Sequence, residues 1–497
     1  MCGVFGAFAP DEDVARLTYF GLHALQHRGQ ESAGIAVGDG KTVMAVKNLG
    51  LVAQVFKESD LQSLPGKVAI GHTRYSTTGS SRSWDNAQPH LSSIGWQQIA
   101  LAHNGNLVNL ATLRSKLTDH HVALRSSSDS EAIAALIGEH TEATSHIREG
   151  IRATMETIRG AYAVVLITEE ALYAFRDPLG IRPLCIGTLP DGKGWVVASE
   201  TTALDIVGAD YLRDVTPGEV IKVSEDGVET LVAVTEDGEA GEVNEGGEDG
   251  RDGQGGEDRE SGESRRCHRR RALCIFEYVY FARPDSEMAG LSMYEARTRM
   301  GERLAAEAPA EADVVIGVPD SGTPGAVGFA KASGIPFGEG LAKNRYVGRT
   351  FIQPSQSLRQ RGIRLKLNPM RHAIEGKRVI VVDDSIVRGN TTRALIAMLR
   401  EFGAGEVHMR ITSPPVAWPC YFGIDIDTRA QLIGANRTID EICAHVGADS
   451  LAYLSIDGMV DATGMSREDF CLACFDGNYP LDVSENLVAE EGLESRG

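Results

Sequence analysis

A chain of 497 residues with 42% hydrophobic and 24% charged residues exceeds what one hydrophobic core usually supports, so two large domains are expected. No apolar run approaches the roughly 18–20 residues that cross a bilayer, and the amino terminus lacks a basic-then-apolar leader, which argues for a cytoplasmic protein without a membrane partner. The net charge of −20, with little basic clustering, argues against nucleic acid, and eight cysteines leave metal ligation, catalysis or core packing rather than a disulfide framework.

The chain opens MCGVFGAF. Removal of Met1 would leave Cys2 as the amino-terminal residue, and a free α-amino group titrating near roughly 8 can serve as base for its own thiol. A small second residue is also common without any role. Leu17, Phe20 and Ala24 predict a helix, closed by the polar turn Gln26–Gly34, QHRGQESAG. A strand over Val68–Ile70 leads into Gly71–Thr78, GHTRYSTT, and is followed by Ile99–Leu107, IALAHNGNL, and by Ser126–Glu131, SSSDSE, which opens a helix over Ala132–Ile137. Taken singly, Arg74 reads as a surface ion pair, Asn104–Gly105 as a turn and Asp129 as a helix cap.

Together and in this order, these stretches resemble the amino-terminal-nucleophile glutamine amidotransferases. That resemblance implies a four-layer αββα sandwich in which Cys2 attacks the side-chain amide of glutamine, forms a thioester and releases ammonia. It implies that Asn104, through its side-chain amide, and Gly105, through its backbone N–H, form the oxyanion hole. Arg74 would clamp the α-carboxylate of glutamine and Asp129 would pair with its α-ammonium, with Arg28 and Gly29 lining the same pocket.

From Gly160 to Val223 the chain alternates strands with turns, AYAVVLI, ALYAFRD and WVVAS, which complete the sheets of a first domain spanning 2–235. Arg176–Leu184, RDPLGIRPL, also resembles that domain and is assigned no catalytic role. Glu236–Ser264 holds twelve acidic residues against two arginines, half of the whole excess, and almost no apolar side chains. It cannot offset the entropy of ordering, so a disordered insertion and basic linker are expected over 236–271. The short cluster Arg265–Arg271 is expected to pair with it.

A second domain over 272–485, ahead of a disordered tail 486–497, begins with CIFEYVYFARPDS, whose aromatic run suggests a strand entering a new core. Asp313–Val318, DVVIGV, is a buried-strand run feeding the loop Pro319–Gly325, PDSGTPG, and a helix over Ala326–Ser333. Val379–Thr392, VIVVDDSIVRGNTT, repeats this logic: a buried strand, paired carboxylates at its carboxyl end, a loop hinged at Gly389, and a helix running to Gly403. Two such units imply a parallel sheet with ligand at the carboxyl ends of its strands, and a helix amino terminus suited to phosphate. Between them lies Lys343–Pro369, with seven cations in an acidic protein; it is a solvated loop or a lid that excludes water from a reactive centre.

The fourteen-residue string resembles the phosphoribosylpyrophosphate-binding motif of type I phosphoribosyltransferases. That resemblance places the ribose on Asp383 and Asp384 and its phosphate on Ser385, Arg388, Gly389, Asn390 and Thr391. It adds lid contacts from Lys343, Arg345 and Tyr346, and Mg²⁺ at Ser321, Asp383 and Asp384. The last signal is cysteine: Cys471 and Cys474 form CLAC, Cys420 lies in WPCYFG, and Cys274 opens the second domain. CxxC spacing alone selects no metal and is equally a zinc half-site or a chance pair.

Across nearly the whole chain, the order of motifs resembles the glutamine phosphoribosylpyrophosphate amidotransferases, and Cys274, Cys420, Cys471 and Cys474 match the ligand positions of the group carrying a [4Fe–4S] cluster. Cys267 is a rival first ligand, and Cys185 and Cys443, among apolar neighbours, are expected in the core. The resemblance implies glutamine and phosphoribosylpyrophosphate as substrates, purine nucleotides as inhibitors, and a homotetramer or homodimer. The alternatives are another glutamine-dependent amidotransferase, such as a glucosamine-6-phosphate synthase or an asparagine synthetase, or a non-catalytic sensor of phosphoribosylpyrophosphate.

Overall fold

The computed structural model describes residues 1–76, 83–95, 97–234, 240, 241, 271–344, 365–426 and 428–487. The expected insertion from 242 to 270 with Cys267, the lid residues Arg345 and Tyr346, and the tail from 488 lie outside the described residues.

Alternation along the strands builds the first domain. In the strand Gly3–Phe8, Val4 and Phe8 face a core shared with Ile70, Ala102, Val165 and Ala174. The intervening Phe5 and Ala7 face the helix Val14–Ala24 through Ala15 and Leu22. In the strand Gln97–Leu107, Ala100 and Ala102 join the same inter-sheet core, while Ile99 and Leu101 pack under the helix Asp129–Thr144 on Ile133, Leu136 and Ile137. The result is the expected αββα sandwich of two seven-stranded sheets.

The first sheet runs Asp210–Asp214, Cys185–Thr188, Trp195–Ala198, Gly3–Phe8, Val68–Arg74, Ser32–Gly38, Val43–Leu49. Register Gly3↔Thr73 puts Cys2 beside the end of the strand that finishes at Arg74. In the second sheet, Gln97–Leu107 lies between His90–Ile94 and Gly160–Ile167, with Asn104 opposite Ala163 and Gly105 opposite Tyr162.

The second domain carries four parallel strands in the order Val314–Gly317, Arg378–Asp383, Glu406–Ile411, Ser450–Tyr453. Phe337 bridges to the outer side of the first of these, so successive connections leave in opposite directions from the gap between Gly317 and Asp383. That gap is the topological switch point at which ligands enter open α/β sheets. Helices Gly322–Ser333 and Asn390–Glu401 follow the two strands that flank it.

One expected strand is corrected. In CIFEYVYFARPDS only Cys274 lies in a strand, where with its neighbour Leu273 it pairs in parallel with Phe470–Cys471, and Glu277–Phe281 is a π-helical turn. Its carbonyls explain the difference: the buried Arg297 guanidinium donates to the oxygens of Tyr278, Ala282 and Glu277 at 2.8, 2.7 and 3.3 Å. The aromatic side chains fill a core around that turn instead of a pleated ladder.

Candidate active sites

At the amino-terminal site, Asn104 contacts Cys2 through one atom and leaves another open. The Cys2 N–H donates to Asn104 Oδ1 at 3.1 Å, while Asn104 Nδ2 is buried with no hydrogen-bond partner. Gly105 has φ +152°, and a Cβ there would meet the carbonyl oxygen of Ala161 at 1.9 Å, so only glycine fits this bend of the strand. The Cys2 sulfur lies 3.5 Å from the carbonyl oxygen of Tyr75. Burial raises the Cys2 thiol above its ordinary value, and the charges of Arg74 and Asp129 both act on it. Arg74, the last residue of its strand, is buried 3.6 Å from Glu31. Asp129 starts its helix after the Ser128 cap, accepts from the Leu107 N–H at 3.2 Å and lies 3.7 Å from His103.

Arg28 and Gly29 are close to Cys2 but differently engaged. Gly29 is pressed on the strand end, where a Cβ would meet the Thr73 carbonyl oxygen at 2.5 Å. The Arg28 side chain is wholly buried and donates through Nε to the Cys2 carbonyl at 2.9 Å. Its fork is held by both oxygens of Glu277 at 2.8 and 3.1 Å and by Glu200. Glu200 also takes His27 at 2.8 Å and Ser286 at 2.7 Å, and Arg182 lies 3.5 Å from Glu277. Met1 is buried over this group, its sulfur on Arg28 and Arg182. Glu200 and Glu277 carry no motif signal beyond, for Glu277, a charge inside the apolar run CIFEYVYF, whereas Arg182 lies in RDPLGIRPL, which resembles the first domain without pointing to this contact.

The second site forms at the switch point. Asp383 ends its strand, and the buried Asp384 accepts from the Ser321 hydroxyl and from the Ser385 hydroxyl, both at 2.6 Å. These bonds join the loops after two adjacent strands. Burial and the neighbouring carboxylate push Asp383 well above its ordinary value, and burial also raises Asp384. Gly389, at φ +76°, starts the helix Asn390–Glu401, whose first turn receives no side-chain cap. The main-chain N–H groups of Asn390 and Thr391 therefore open onto the loop, with Arg388 just before them. Lys343 pairs with Asp320 at the edge of the same gap.

The four cysteines of the sequence motif meet at the seam between domains. Cys274 stands opposite Cys471 in the parallel ladder. The N–H groups of Ala417 and Trp418 donate to the Cys474 carbonyl at 3.0 and 3.1 Å, and the Phe422 N–H donates to the Cys420 sulfur at 3.4 Å. The thiols of Cys274, Cys420 and Cys471 all act electrostatically on Cys474. Cys274 donates its N–H to Ile181, and the field of Arg182 reaches Cys274, Cys420 and Cys471. Nε and Nη2 of Arg182 are buried without a partner. Among the described residues, no group of three or more His, Cys, Asp or Glu is arranged to hold a metal ion.

Residues 72–206 match the glutamine amidotransferase domain family and residues 291–412 the phosphoribosyl transferase domain family. The two halves therefore define a glutamine-dependent transferase acting on a phosphoribosyl group, which removes the rival acceptors. The amidophosphoribosyltransferase of Synechococcus elongatus is 51% identical, with 98% of this chain and 92% of that protein covered, and the Bacillus subtilis enzyme is 44% identical over 98% and 95%. The solved glutamine phosphoribosylpyrophosphate amidotransferase of B. subtilis, complexed with ADP and GMP, superposes with a TM-score of 0.83 at 44% identity, covering 97% of this chain and 98% of that one. The chain belongs to the amidophosphoribosyltransferases. It converts glutamine, phosphoribosylpyrophosphate and water to 5-phosphoribosylamine, glutamate and pyrophosphate, the first step of purine biosynthesis.

Proposed function

We propose that Cys2, uncovered by removal of Met1, is the glutaminase nucleophile, and that the observation carrying this is the divided role of Asn104. Its oxygen holds the Cys2 nitrogen while its buried, unpartnered Nδ2 awaits an acceptor. The thiol attacks the glutamine amide carbon and gives its proton to the adjacent α-amine. Nδ2 of Asn104 and the N–H of Gly105 stabilise the resulting oxyanion. The C–N bond breaks as the amine returns the proton, ammonia leaves, and water hydrolyses the thioester to glutamate. Arg74 holds the α-carboxylate and Asp129 the α-ammonium of glutamine; Arg28 and Gly29 shape the pocket from behind Cys2.

Ammonia then passes within the molecule to the second site, attacks C1 of phosphoribosylpyrophosphate and displaces pyrophosphate. Asp383 and Asp384 bind the ribose hydroxyls, and Ser385, Arg388, Gly389, Asn390 and Thr391 wrap the 5′-phosphate. Lys343, with Arg345 and Tyr346, covers the pyrophosphate and keeps water from C1. The adjacent carboxylates and Ser321 are the hard oxygen donors that suit Mg²⁺, which when bound neutralises charge on the leaving group. Cys274, Cys420, Cys471 and Cys474 suit a [4Fe–4S] cluster. Their four thiolates would hold the cluster, and the buried, unpartnered N–H groups of Arg182 would be available to it as hydrogen-bond donors. Its part is to tie the seam together.

The domains run 2–235 and 272–485. Purine nucleotides inhibit, as ADP and GMP bound to the B. subtilis relative suggest, and the protein acts in the cytoplasm as a homotetramer or homodimer; no helix among the described residues is long and apolar enough to cross a membrane. The test is a product assay with each nitrogen donor. Cys2→Ala should abolish glutamine-dependent synthesis and leave synthesis from concentrated ammonia, whereas equal loss of both contradicts separate sites.

A further inference from the structure

We infer that Glu277, a residue of the phosphoribosyltransferase domain, positions the nucleophile of the other domain by holding Arg28 against the Cys2 carbonyl. This rests on Cys2 being the nucleophile. Cys2 is gripped at both ends of its main chain: its nitrogen by Asn104 and its carbonyl oxygen by Arg28 Nε at 2.9 Å. A guanidinium is a rigid plane, so fixing its two terminal nitrogens fixes the direction of Nε.

Glu277 does this with both oxygens, at 2.8 Å to Nη2 and 3.1 Å to Nη1. Glu200 touches only Nη1 and divides itself among His27, Ser286 and the Arg283 N–H. Glu277 is held in turn, because Arg297 clasps the carbonyls of the π-helical turn that carries it. Arg28, Glu200 and Glu277 are all wholly buried, so water cannot substitute for a lost partner. A small rotation of the Cys2–Gly3 peptide swings the Cys2 sulfur away from the glutamine amide, and misplacements of this size have large kinetic effects. Glu277 is thus a positioning residue; it does not touch glutamine.

The experiment compares Glu277→Gln and Glu277→Asp with the parent in the full-length protein. Glu277→Gln keeps the shape but turns an N–H toward the fork; Glu277→Asp keeps the charge at shorter reach. The expected result for Glu277→Gln is a fall of about tenfold or more in glutamine-dependent kcat, with glutamine KM and ammonia-dependent synthesis within about twofold of the parent. Glu277→Asp should recover part of the loss. The inference is overturned if glutamine-dependent kcat is unchanged, if the loss falls on KM, or if both nitrogen donors fail together in both variants, which would mark a purely structural role. A glutamine-like diazoketone provides the separate control: parent protein that is not labelled at Cys2 overturns the nucleophile assignment itself.

Discussion

Burial raises the Cys2 thiol above its ordinary value of 9.0, so at neutral pH the sulfur keeps its proton and needs a base within reach. In the proposed reaction that base is the α-amino group of Cys2 itself, freed by removal of Met1. Asp129 behaves in the opposite sense. Burial works to raise it, but the charge and hydrogen bond of His103, with the N–H of Leu107, hold it below its ordinary 3.8. A depressed carboxylate delivers its contribution fully above its ordinary value and loses it only as pH falls through the lower folded value. Glutamine KM should therefore stay level from about pH 8 to about pH 5, and Asp129→Asn should raise it by about 10–100-fold, the worth of one charged hydrogen bond. Steady-state kinetics across that range check both; a KM rising with a midpoint near pH 6 contradicts this role for Asp129. The proposed site residues Cys2, Arg74, Asn104 and Asp129 can be named from the chain because each sits in a short motif. The partners of Arg28 are not, since 172 and 249 residues separate it from Glu200 and Glu277 and no local period reports such a meeting.

Among the elements, buried strands and their following helices are the most readable, because a run such as Val379–Val382 has few other uses. The structure extends it to Arg378–Asp383 and starts the next helix at Asn390. CIFEYVYF misleads for the same reason in reverse: β-branched and aromatic residues also fill a core around a turn, and the decisive Arg297 lies outside the run. The loop between strand and helix depends on Gly389, where φ is +76° and a Cβ would meet Ile433 at 2.9 Å. Gly389→Val should cost about 1–3 kcal/mol in backbone strain and raise KM for phosphoribosylpyrophosphate by moving the first N–H groups of the helix. Thermal melts with substrate titration measure both, and an unchanged KM would remove this helix end from the phosphate site.

At the scale of the whole molecule, the cysteines report on how the chain returns to itself. Cys274, Cys420 and the Cys471–Cys474 pair come from three distant segments and meet beside Ile181 and Arg182 of the first domain. Protein purified without oxygen should carry about four irons and four sulfides per chain, and removing them should lower the melting temperature, since a site of this kind contributes to folding. Stoichiometric zinc in their place would overturn the cluster. The same seam carries a second set of ties: Asn106 Nδ2 donates to the Tyr421 carbonyl at 2.9 Å, Tyr75 donates to Asp425 at 3.1 Å, and Gly423 packs so closely on Gly105 that a Cβ would come within 3.1 Å of its Cα. The strand that carries Asn104 and Gly105 is thus propped by a loop of the other half. An amidotransferase half cut free at the insertion would lose that strand's support and leave the Arg28 fork with Glu200 and water in place of Glu277. It is therefore no interchangeable cassette: transplanted onto a foreign synthase, it would have to find substitutes for Glu277 and the Tyr421 loop before it could work.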